Sequence, residues 1–264
     1  MDRPSIYNVT NTIRMKSTLP GVIRRVGGKS RVKDKIIKFF PKHKIYVEPF
    51  IGGGSVFFGK VPSKDLEFEI INDKDKGISD IYKDFQKVPR EIVEKYNFKR
   101  NKKVFDKFLK TNYKDPKDRL FRNLYLSASS FNGNRERFQE GPANTGKKWK
   151  SGRYQERLKG VKVLNQDFKK VIEKYDSPDS FFYLDPPYSY AGKGHYQEVG
   201  VTMEDLFSVL KSIRGKFLMS YDDNPTIRKL FKGYKIRTLM VPYVMMKGGF
   251  ATPQEKKELL ISNY

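Results

Sequence analysis

Asp185, Pro186, Pro187 and Tyr188 follow directly on Phe181-Phe182-Tyr183-Leu184. Those four apolar and aromatic residues read as a short buried strand. Neither proline can donate to a ladder, and each holds the residue before it in extended geometry. An acid and a tyrosine are thereby fixed on a stiff loop at the carboxyl end of a strand, where open α/β sheets bind ligands. The bland alternative is a strand followed by a proline-rich turn. A second stretch adds weight to the chemical reading. Ile45 to Phe50 reads as a strand that enters Ile51-Gly52-Gly53-Gly54-Ser55 and then apolar Val56-Phe57-Phe58. Glycines at such a turn let the backbone approach a ligand with no Cβ in the way. Asp73 ends the next apolar run, 19 residues beyond Gly54. An acid about 20 residues beyond the glycines binds ribose hydroxyls in nucleoside-cofactor folds. The plain alternative for Asp73 is the N-cap of the following helix.

The elements that must position these residues alternate. Ser30 is expected to cap a helix lined by Val32, Ile36, Ile37 and Phe40 and ended by Pro41. Gly27-Gly28-Lys29-Ser30 imitates the end of a phosphate loop, but that loop needs a glycine where Ile23 stands, so an NTPase is rejected. Residues 66–71 form the next strand. Residues 74–130 carry helical apolar spacing, with Pro89 and Pro116 at helix boundaries. Residues 131–154 interleave Gly, Asn, Arg, Lys and aromatics without period. A DNA-reading loop or hairpin is favoured there over a solvated linker, which would not carry Phe131, Phe138, Trp149 and Tyr154. Residues 161–168 form another strand ending in an acid, Asp167. A helix through Val171, Ile172 and Tyr175 then leads to the Asp-Pro-Pro-Tyr strand. Residues 189–200 form a Gly- and Tyr-rich loop that contains His195. Thr202 caps a helix, residues 216–221 form a strand, and Pro225 opens a further helix. Residues 234–244 and 258–264 close the chain as an antiparallel hairpin. The alternation predicts an α/β, Rossmann-like fold with a mostly parallel sheet and a small, mainly helical insert. Residues 1–20 are expected to be an N-terminal arm. Residues 21–86 and 160–264 are expected to form the catalytic domain, with residues 87–159 as a target-recognition region.

Composition narrows the chemistry. The chain of 264 residues lacks cysteine and has two histidines, which excludes thiol nucleophiles and argues against a zinc site, so no metal is expected. No apolar run approaches the ~20 residues of a membrane span, and no secretory leader is evident. An intracellular protein, placed where the DNA is in a prokaryote or a virus-infected cell, is expected. Lys and Arg number 54 against 30 acids, a net charge of +24. Such a field attracts polyanions, nucleic acid above all.

The ordered set of Val26-Gly27-Gly28-Lys29, Val47 to Ser55, Asp73, Asp167-Phe168, Asp185 to Tyr188, Ser220 to Pro225 and Glu258 to Tyr264 resembles the Dam-type (D12 class) adenine-N6 DNA methyltransferases. Arg25 departs from the family, whose members often carry Trp there. The resemblance implies an S-adenosylmethionine-dependent methyltransferase fold with S-adenosylmethionine as methyl donor. Phe50, Gly52 and Gly54 would flank its methionine portion, and Asp73 would accept from its ribose. Asp167, with Phe168 beside it, would accept from its adenine, and Lys29 would lie near its carboxylate end. Asp185 would border the same cofactor. Double-stranded DNA is the implied partner; a cognate restriction endonuclease, and a monomer or a dimer formed on DNA, stay open.

The chemistry of the substrate points to the same catalytic residues. The N6 lone pair of adenine is delocalised into the ring, so an acceptor pair taking both N–H bonds raises its nucleophilicity. The Asp185 carboxylate and the Pro186 carbonyl can be that pair. Tyr188 can stack on an adenine flipped out of the duplex. Asn132, Asn134, Arg135, Arg137, Lys147 and Lys148 are the candidates for DNA contact. A catalytically silent DNA-binding protein on the same scaffold and an RNA adenine methyltransferase are the competing readings.

Overall fold

A computed structural model describes residues 18–25, 27–141, 149–187, 201–247 and 250–264. Tyr188, His195, Lys147, Lys148, Val26 and nearly all of the expected N-terminal arm lie outside the described residues. The sheet has the order β3-β2-β1-β4-β5-β7-β6. Its strands are β1 (Ile45–Glu48), β2 (Phe68–Asn72), β3 (Lys162–Leu164), β4 (Ser180–Leu184), β5 (Lys216–Asp222), β6 (Lys235–Lys247) and β7 (Phe250–Ser262). The first five run parallel, and β7 is antiparallel to both β5 and β6. This is the mostly parallel, Rossmann-like sheet with antiparallel closing strands that the alternation predicts.

Strand period sorts the side chains into two cores. Phe181 and Tyr183 face one core, and Phe182 and Leu184 face the other. The first core takes helices α1 (Lys33–Ile37), α2 (Ser55–Gly59), α3 (Lys76–Lys87), α4 (Arg90–Glu94), α5 (Lys102–Lys110), α6 (Pro116–Ser129) and α7 (Arg153–Leu158). The second takes α8 (Phe168–Tyr175), α9 (Met203–Leu210) and α10 (Pro225–Leu230). With both faces covered, β4 is buried along its whole length. Under the first layer Arg157 of α7 forks onto Glu69 of β2 at 2.7 Å, with Lys60 on the same carboxylate. Burial pushes Glu69 up, but the two cations outweigh it and hold its pKa at about 2.

Several expectations are corrected. Ser30 caps nothing: residues Lys29–Arg31 form a 3₁₀ turn, and α1 begins after Val32 with no side-chain cap. Trp149 and Tyr154 are core residues, not free aromatics of a reading loop. Trp149 Nε1 donates to Val22 O at 2.9 Å, and Tyr154 Oη donates to Pro20 O at 3.0 Å. Their period was hidden by the polar residues around them. The closing hairpin is also longer than its apolar runs indicate. Residues 240–247 and 250–257 stay paired beyond Asp222, the last residue of β5 paired to β7.

Candidate active site

The carboxyl ends of β1, β2, β3 and β4 assemble the predicted site. Asn72, at the end of β2, ties three of them. Its Nδ2 donates to Pro49 O at 2.9 Å and to Gln166 O at 3.0 Å, and its Oδ1 accepts from Gln166 N at 2.9 Å. Sequence reasoning passed over Asn72 as a strand terminator. Only a polar residue closing an apolar run hinted at a buried staple.

The glycine turn between β1 and α2 is fixed by Asp73. Gly52 N–H donates to Asp73 Oδ2 at 2.9 Å, and Asp75 N–H donates to Oδ1 at 2.9 Å. Asp73 is not the helix cap. Asp75 fills that role for α3, accepting from Gly77 N and Ile78 N. Burial pushes the Asp73 carboxyl up, against the two backbone donors. Gly52 and Gly54 have φ of 46° and 72°, left-handed values that a side chain disfavours. A Cβ on Gly54 would meet the Phe58 ring and Tyr82 Oη at 2.9 Å. Tyr82 Oη in turn donates to Gly52 O at 2.7 Å and closes the turn from below.

On the other side of the turn, Phe50 and Phe168 stand 5.3 Å apart between ring centroids. Phe168 is buried and Phe50 is half-buried. Asp167 caps α8, accepting from Lys169 N at 3.0 Å, and Lys74 Nζ lies 3.4 Å from its second oxygen. The capping role of Asp167 was missed, although an acid one residue before a helix is its usual signal. Each carboxylate oxygen keeps a further lone pair for a ligand donor. A left-handed glycine turn, two carboxylates and an aromatic pair therefore suit a group with ribose hydroxyls, an amino-bearing base and a cationic amine.

Asp185 leaves β4 partly exposed, while Pro186 behind it is buried. Asp185 Oδ1 accepts from Lys29 Nζ at 2.8 Å and from Ser220 Oγ of β5 at 2.9 Å. Ser220 Oγ is also 3.1 Å from Tyr183 Oη. Lys29 is buried and donates a further bond to Gly27 O at 2.8 Å. Burial pulls the ammonium down, yet Asp185 and Glu258 outweigh it and raise its pKa, so Lys29 is a cation at neutral pH. The structure thus brings Lys29, expected near the cofactor, directly onto Asp185, the expected acceptor for the target amino group. Glu258, 3.6 Å from Lys29, was quoted in the sequence only as part of a closing motif.

The segment expected to read DNA begins with a 3₁₀ turn, Phe131–Gly133. Asn134 Oδ1 accepts from the backbone N–H groups of Glu136 and Arg137, which makes it a turn residue. Arg135 has a positive φ of 64° and pairs its guanidinium with Asp75. Arg137 is exposed, and Asn132 lies in the 3₁₀ turn.

A family model described as D12 class N6 adenine-specific DNA methyltransferase matches residues 26–245. A type II methyltransferase of Lactococcus lactis subsp. cremoris is 26% identical, with 90% of this chain and 93% of that protein aligned. A type II methyltransferase of Methanocaldococcus jannaschii is 25% identical over 92% of this chain and 98% of its own length. A DNA adenine methylase of Vibrio cholerae serotype O1 is 22% identical over 86% of this chain and 90% of its own length.

Proposed function

The chain belongs to the D12 class of N6 adenine-specific DNA methyltransferases, and on that premise we propose that it carries the methyl group of S-adenosylmethionine to N6 of an adenine flipped out of duplex DNA. The observation that carries the reading is the grip on Asp185. One oxygen of its carboxylate is held by Lys29 and Ser220 at the end of a fully buried strand, beside a glycine turn. When bound, the sulfonium of S-adenosylmethionine supplies a methyl group already activated for displacement. Asp73 takes its ribose hydroxyls, Asp167 its adenine amino group, and Phe50 and Phe168 flank it. Gly52 and Gly54 leave backbone room at the methionine end, beside Phe50.

Asp185 and the Pro186 carbonyl accept the two N6–H bonds of the target adenine and hold its nitrogen in line. Because Pro186 and Pro187 have no N–H and restricted torsions, that acceptor pair is set before substrate arrives. The nitrogen gains positive charge as its bond to the methyl carbon forms and the carbon–sulfur bond would break to leave a neutral thioether; the carboxylate stabilises that charge at short range, and one N6 proton is then lost to solvent. Tyr188 covers the flipped base by stacking. We assign residues 87–159 to target recognition, with the exposed Arg137 as the leading base or phosphate contact. The net charge of +24 supports a nucleic acid as the polyanion.

Asp185→Ala tests the assignment. Methyl transfer should fall by at least about 10³-fold, with the fold and, largely, the affinity for DNA retained. Transfer at the wild-type rate would remove Asp185 from the mechanism.

A further inference from the structure

Glu258 is a buried acid for which the mechanism above has no use. It lies on β7 opposite Asp222, where β5 ends, and the residues after it are Leu259, Leu260 and Ile261, all buried and apolar. Its Oε2 is buried and receives no hydrogen bond from any described residue. The cation it faces is Lys29, at 3.6 Å. Asp222 and Asp185 add like charges nearby, and Lys256 is drawn to Asp222 at 2.7 Å. Burying a carboxylate with so little compensation is costly, and an apolar residue would be cheaper for the fold. Local rules broken in this way mark working sites.

The geometry shows what the second carboxylate does. Lys29 Nζ contacts Gly27 O, Asp185 Oδ1 and Glu258 Oε2. Paired with Asp185 alone, the ammonium would neutralise the carboxylate that must accept from a nitrogen becoming cationic. Glu258 sets a second carboxyl group against the same ammonium, at 3.6 Å. We propose that Glu258 is a positioning residue for methyl transfer: it shares the Lys29 ammonium, so that Lys29 fixes Asp185 without cancelling its charge. This rests on Asp185 being the acceptor for the target amino group.

Glu258→Gln keeps the shape and removes the charge, whereas Glu258→Asp keeps the charge and shortens the arm. Single-turnover methyl transfer, with S-adenosylmethionine and DNA both saturating, should slow by about 10–100-fold in Glu258→Gln, with both dissociation constants within about twofold of wild type. Glu258→Asp should retain more of the rate than Glu258→Gln. A role in packing alone would give the reverse order, and that order, or a wild-type rate in Glu258→Gln, would overturn the proposal. In a Lys29→Met background Glu258→Gln should add nothing further, since it acts through Lys29. Independent, multiplying losses would also overturn it. Asp185→Ala in the same assay separates the two levels. If it is inactive while Glu258→Gln is normal, only the role of Glu258 falls. If Asp185→Ala is active, the acceptor assignment itself falls.

Discussion

Glu48 ends β1 with its carboxyl fully enclosed, accepting from Tyr46 Oη at 2.6 Å. Burial pushes its pKa up to about 8; the Tyr46 hydroxyl opposes this and the Asp185 charge adds to it. The folded protein therefore keeps Glu48 protonated at pH 7, whereas the unfolded chain ionises it from about pH 4.5. Its folded pKa is raised, so its contribution to stability is full below about 4.5 and is lost as pH rises to about 8. The loss is on the order of a few kcal/mol. Glu48→Gln cannot ionise and can still accept from Tyr46. Its melting temperature should exceed that of the wild type at pH 8, and the gap should close towards pH 4.5. Thermal melts across that range check this, and a gap that does not change with pH would refute it. Residues of this kind show where single-sequence reading stops. Asp185 and Lys29 stand out in the sequence through their motifs, but the bond between them does not. It joins positions 156 residues apart (185 − 29), which only the fold brings into register.

The glycine turn is the element on which the proposed cofactor side depends. It is held from outside itself, by Asp73 on one side and Tyr82 on the other. Gly54→Ala would force a side chain into left-handed backbone, at roughly 1–2 kcal/mol. It would also press its Cβ against the Tyr82 hydroxyl that closes the turn. Lower thermal stability and weaker S-adenosylmethionine binding should appear together in calorimetry; unchanged affinity would show that the turn does not cradle the cofactor. The strands, the glycine turn, the Thr202 cap and the Pro116 and Pro225 helix starts were all readable from period and capping chemistry. The fates of Trp149 and Tyr154 were not. They sit among Lys, Gly and Ser, and their burial comes from contacts with Val22 and Pro20, far away in the chain. Asp73 and Asp75 present the same difficulty on a smaller scale. Two acids precede one helix start, and only the backbone path decides which of them caps it.

At the scale of the whole molecule, Asp185, the proposed acceptor, and Asp73 and Asp167, the proposed cofactor carboxylates, all stand at or just past the carboxyl ends of parallel strands. The paired residues 240–247 and 250–257 continue past the end of β5 at that same edge. Among the described residues, no helix is long and apolar enough to cross a membrane. A charge of +24 attracts polyanions, but charge does not distinguish DNA from RNA. The identity of the methylated atom does. Purified protein incubated with methyl-labelled S-adenosylmethionine and unmethylated genomic DNA should place label in N6-methyl-2′-deoxyadenosine after digestion. A parallel incubation with RNA should give none. Label in N6-methyladenosine from RNA alone, or no label in either polymer while S-adenosylmethionine still binds, would contradict the account.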